Sequence, residues 1–145
     1  MPIDYSIHPA QRLVIARGRD IFTRADMEAY QREVWSRPEV TGFDELIDMT
    51  DVERIDVEIP TGQRMQRFAA ECAALDPPDK PGKLVIVAPG AFAFGLGRQY
   101  LTYRELASHV VKPMRVVHEL ADALKFLELA PAPDMRALLE RLKAG

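Results

Sequence analysis

The stretch GAFAFGLGRQYLTYRE, Gly90 to Glu105, gathers three glycines, four aromatic residues and two arginines, a mixture that suits either a phosphate cradle or a closely packed helix. A phosphate loop needs glycines that let backbone amides converge on oxygens, then Lys followed by Ser or Thr. Counting from Gly90 puts Gly95 in place but sets Leu96 where the Lys belongs and Gly97 where the hydroxyl belongs. A dinucleotide fingerprint fails too, because no third glycine follows Gly97 at the required interval. Packing accounts for the stretch better. Phe92, Leu96, Tyr100 and Tyr103 fall on one apolar stripe of a helix, while Phe94 and Leu101 face another way. A glycine inside a helix costs about 1 kcal/mol relative to alanine, so Gly95 and Gly97 should both be offset by close backbone approach. A helix over 91–107 is expected, with its second apolar side, around Phe94, Gly95 and Leu101, available for self-association.

Seven carboxylates lie between Asp44 and Glu58, enough to raise the question of a metal. Hard cations need several oxygens converging on one point, usually with a glycine turn, and this spacing matches no calcium loop. The run reads as a solvated strand end and loop, with Asp48 and Asp51 the pair to inspect. His8, His109 and His118 are scattered without ligand spacing. Cys72 sits on an apolar helical stripe, which reads as an inert buried thiol rather than a nucleophile.

The elements that must position these residues follow from periodicity. DYSIH and RLVIARG, separated by PAQ, read as an antiparallel strand pair. Thr23 and Asp26 fit a helix cap ahead of RADMEAYQREVW, a helix ending before Pro38. FDELIDMTDV reads as a strand followed by a loop holding Thr50 and Asp51. TGQRMQRFAAECAALD puts Met65, Phe68, Cys72 and Leu75 on one helical stripe. KLVIVA is nearly all apolar, as a central strand covered on both faces would be. The 91–107 helix, the strand MRVVHE and the helix ELADALKFLEL complete the order ββαβαβαβα. This predicts an α/β fold with a mixed sheet of four or five strands and flanking helices. It forms one domain over 1–130, and a C-terminal helical extension over 131–145 carries Leu138 and Leu142 on its apolar face.

Composition narrows the function classes. Hydrophobic residues make up 48% and charged residues 28% of the 145 residues, in the range of soluble globular domains. With 19 basic against 22 acidic residues the net charge is −3, and no basic run marks a nucleic-acid partner. The longest uncharged apolar stretch, Leu84 to Gly97, is too short to cross a bilayer and is broken by Pro89 and Gly90. A single cysteine and a start without a signal-peptide pattern fit a cytoplasmic protein.

The segment IDMTDVERIDVEIPTG, followed by a helix, resembles the phosphoacceptor region of anti-sigma-factor antagonists, the STAS domain. AFAFGLGRQY and VVHELADALKFL are similar to a bacterial group of uncharacterised SpoIIAA-like proteins, grouped loosely with STAS and CRAL-TRIO domains; the similarity spans roughly residues 2–127. The resemblance implies a SpoIIAA-like sheet without an established enzymatic activity. In the antagonists an Asp precedes a phosphorylatable Ser; here Asp56 matches the Asp, Val57 stands at the acceptor position and Glu58 follows. Thr61 is the nearest hydroxyl.

The leading expectation is a non-enzymatic regulatory or protein-interaction module of STAS-like type, lacking the phosphoacceptor serine. It would form a homodimer through Phe94, Gly95, Leu101, Leu138 and Leu142, with room for a further protein partner and without cofactor or metal. The alternative is a small apolar-ligand or lipid binder, with Phe22, Trp35, Phe68, Phe92 and Phe94 as pocket material. Thr61, Arg98, Tyr100, Asp48 and Asp51 are the candidate ligand or regulatory residues, the last four around the sheet's carboxyl edge, where open α/β sheets bind ligands.

Overall fold

Thr23 decides the first passage from strand to helix. Its hydroxyl accepts from the Asp26 backbone N–H (3.1 Å) while the Asp26 carboxylate accepts from the Thr23 N–H (3.0 Å), the reciprocal cap that the spacing predicts. The computed structural model describes residues 3–56, 61–77, 79, 81–107, 111–129, 137 and 140, with only the backbone of 61 and 62. Its elements are β1 (Ile3–His8), β2 (Leu13–Thr23), α1 (Arg24–Val34), β3 (Asp44–Asp56), α2 (Thr61–Ala73), β4 (Leu84–Val87), α3 (Ala91–Ala107), β5 (Met114–Val117) and α4 (Leu120–Phe126). The order ββαβαβαβα stands. Leu138 and Leu142, and with them the expected terminal stripe, lie outside the described residues.

The five strands lie in the order β1-β2-β3-β4-β5, β1 antiparallel to β2 and the rest parallel. Right-handed crossovers that always step the same way put every intervening helix on one face of the sheet. The two core clusters show this division. Tyr30 and Val34 of α1, Phe68 and Cys72 of α2, and Tyr100 and Leu101 of α3 pack with Ile47 and Ile86. On the other face, Ala123 of α4 and Leu127 just beyond it pack with Leu13, Ile15, Leu46, Val85 and Val87. Among the described residues no helix is long and apolar enough to cross a membrane.

Four expectations need correction. KLVIVA is buried on both faces but is not the central strand: β4 is second from an edge and β3 is central. An all-apolar run reports cover on two sides, which α2, α3 and α4 supply here, and not position in the sheet. Thr50 and Asp51 lie within β3 and not in a loop, because β2 and β3 continue pairing through two register shifts as far as Thr23 and Asp56. Leu75 leaves the helical stripe, since α2 ends at Ala73, and it is exposed.

The fourth correction concerns α3, whose buried face carries Gly97, Tyr100, Leu101 and Arg104, while Phe92 is 64% exposed. A Cβ at Gly97 would come within 3.2 Å of Val116 Cγ2, so contact with β5 at this point sets the helix rotation and carries Leu101 inward one turn later. A Cβ at Gly95 would meet nothing within 4 Å. The close approach expected at both glycines occurs at Gly97 alone.

Candidate functional site

In a parallel βα unit every helix begins at the carboxyl edge of the strand before it. The N-terminal turns of α1, α2 and α3 therefore gather at one edge of the sheet, on one face. At that edge β2 and β3 are bulged between Arg17 and Arg19 and between Asp20 and Ile21, and Asp20 takes a left-handed φ of 55°. Bulges bend and twist a strand pair and re-aim its side chains. Phe22, Met49 and Ile55, on the bulged stretch, line a cavity of about 120 Å³ between the sheet and the three helices.

The remaining wall comes from Met27 of α1, Met65 and Phe68 of α2, Ile47 and Ile86 of the sheet, and Ala93, Leu96, Gly97 and Tyr100 of α3. Phe68 and Tyr100 stack with centroids 5.7 Å apart, forming an aromatic floor. Burial raises the Tyr100 phenol well above its ordinary value, with the neighbouring Cys72 sulfur adding to the effect. Burial also pushes the Cys72 thiol up to about 12, so it stays neutral and un-nucleophilic at ordinary pH. Arg24 and Arg64 bring the charge at this site. The Arg24 guanidinium meets Glu28 at 3.1 Å, and Glu28 also meets Arg32 at 3.7 Å.

The opposite end of the same helical layer is polar. The Asp76 carboxylate accepts from Arg104 (2.8 Å) and Lys112 (2.7 Å), with all three side chains almost wholly buried. Glu45 accepts from the Tyr30 hydroxyl (2.6 Å) and the Trp35 indole N–H (3.0 Å). Arg104 lies one turn after Tyr100 on the inward stripe, and a charged residue on such a stripe is the one signal in the sequence that marks the cluster.

The candidate residues do not converge. Leu46 faces one core and Ile47 and Met49 the other, so alternation sends Asp48 to the α4 face while Tyr100 lies across the sheet. Asp48 accepts from the Thr50 backbone N–H and hydroxyl, and Asp51 is held by Arg17. Arg98 is exposed on α3. Of the run's other carboxylates, Asp44 accepts from the Lys83 N–H at 2.8 Å. Val57 and Glu58, and the Thr61 side chain, lie outside the described residues. Phe94 stacks on His118 at 4.0 Å, and Leu101 is 7% exposed, inside its own core. Leu101 thus cannot present itself to a second chain. Of the expected pocket aromatics, Phe22 and Phe68 line the cavity and Trp35, Phe92 and Phe94 do not.

The sequential sheet with three crossovers on one face defines an α/β protein of SpoIIAA-like fold. Among solved structures it is similar to an uncharacterised protein of the DUF3478 family, with a SpoIIAA-like fold, from Shewanella loihica PV-4: TM-score 0.54, 14% identity, covering 86% of this chain and 93% of that one. No family model matches the chain, and no curated protein matches it.

Proposed function

We propose that the protein is a non-catalytic binding module that takes a small apolar group into the cavity between its sheet and α1–α3. The observation that carries this is the cavity: about 120 Å³ lined by phenylalanine, methionine, isoleucine and leucine side chains. Close-packed interiors hold few voids larger than a water molecule, and a dry apolar cavity near 150 Å³ admits benzene.

The test is thermal unfolding with benzene or indole. A ligand at 100 times its Kd adds about 2.7 kcal/mol to stability, so the unfolding midpoint should rise in the wild type and stay put in Ala93→Phe, which fills the cavity. Equal shifts in both proteins would contradict the reading.

A second reading is self-association through the outer side of α3, favoured by Phe92 at 64% and Leu106 at 76% exposure. Here the interface moves from Leu101 to Phe92 and Leu106, with Gly95 at its margin, while Phe94 is turned away onto His118. Light scattering at high micromolar concentration should report a dimer that Phe92→Asp dissociates; a wild-type monomer would sink the idea.

A further inference from the structure

We propose that the occupant of the cavity is an amphipathic carboxylate, a monocarboxylic acid with an apolar tail of about six to eight carbons, its head group held at Arg24 and Arg64. The proposal rests on the cavity being a binding site and adds the chemistry of what binds. Its ground is the sign of the charge: Arg24 and Arg64 are the charged residues among the described lining, and no carboxylate lines the cavity among those residues. The lining itself thus carries two positive charges, of which Arg24 is paired with Glu28 just outside it.

The position of the two arginines gives them a joint task. Arg24 opens α1 and Arg64 lies in the first turn of α2. Both therefore stand at the carboxyl edge, where the positive ends of the α1, α2 and α3 dipoles also point. The wall below them is apolar, so a ligand that satisfies the whole site needs a charged head and a greasy tail. Neither guanidinium has to be unpaired beforehand, because each carries five donors. The Arg24–Glu28 pair is partly exposed, with side chains at 38% and 21%, and an exposed pair of this kind is easily exchanged for another carboxylate. Glu28 then keeps Arg32 as its partner.

Tail length follows from volume. About 120 Å³ is a little less than the space that takes a six-carbon ring. Met27, Met49 and Met65 in the wall are unbranched and repack readily, which extends the reach by a few methylenes. A two-chain lipid does not fit.

The experiment is calorimetric titration of the full chain with hexanoate, octanoate and dodecanoate and with octan-1-ol as the uncharged match. The double variant Arg24→Gln/Arg64→Gln and the filled variants Ala93→Phe and Ala93→Leu are titrated alongside, each checked for folding by its melting curve. In the wild type, affinity should rise about four-fold per added methylene from hexanoate to octanoate and level off by dodecanoate. Octanoate should bind at least ten-fold tighter than octan-1-ol. The arginine double variant should lose that preference while keeping its affinity for octan-1-ol, and the filled variants should lose both ligands. Equal binding of octanoate and octan-1-ol to the wild type would overturn the carboxylate proposal and leave the apolar cavity standing. Failure of both to bind would overturn the cavity reading as well.

Discussion

Asp76 holds two buried cations, Arg104 and Lys112, at hydrogen-bond distance. Removing one member of a buried ionic group leaves uncompensated charge and costs about 3–5 kcal/mol, so Asp76→Asn should lower stability by that order, read from urea midpoints. Loss of under 1 kcal/mol would mean the group is solvated. Cys72 gives a second residue-scale test. Its folded value near 12 exceeds the ordinary 9.0, so the unfolded chain releases a proton that the folded chain keeps, and stability falls as pH rises above 9. The buried phenols of Tyr30 and Tyr100 are displaced the same way. Native protein should resist iodoacetamide at pH 8 and react once unfolded; fast native labelling would refute the burial. The inert thiol was legible in the sequence from its place on an apolar stripe. Of the Asp76 cluster the sequence marks only Arg104, a charge one turn after Tyr100; the grouping is not legible, because Arg104 and Lys112 lie 28 and 36 residues from Asp76 and only the fold joins them.

At the scale of elements, α3 separates two glycines that look alike in sequence. Gly95 has open space where a Cβ would go and Gly97 has Val116 at 3.2 Å. Gly95→Ala should therefore raise stability by up to about 1 kcal/mol. Gly97→Val should lower it by about 1–3 kcal/mol, since it forces side-chain bulk against β5; melting temperatures moving in the same direction for both would contradict the packing described. Helix and strand order was readable because each element carries its own period, as at Thr23 with Asp26 or in LVIV of β4. Helix rotation was not. Phe92 and Leu101 exchange their expected sides because contact at one glycine outweighs the hydrophobicity of two large residues.

For the whole molecule, the sequential sheet puts three crossover helices on one face, and the cavity opens where their first turns and the bulged β2–β3 pair fail to close. An alternating strand and helix order leads to this architecture. The bulges that bend β3, however, depend on pairing between strands some thirty residues apart and leave no local mark. Methionine methyl spectra offer the most direct test. Of the six methionines, Met27, Met49 and Met65 line the cavity, and Met114 on β5 does not. With carbon-13 methyl-labelled protein and octan-1-ol as probe, the account expects those three signals to shift together along one saturable curve while Met114 stays nearly still. Unchanged signals at saturating probe, or an equal drift of all methyls, would contradict it.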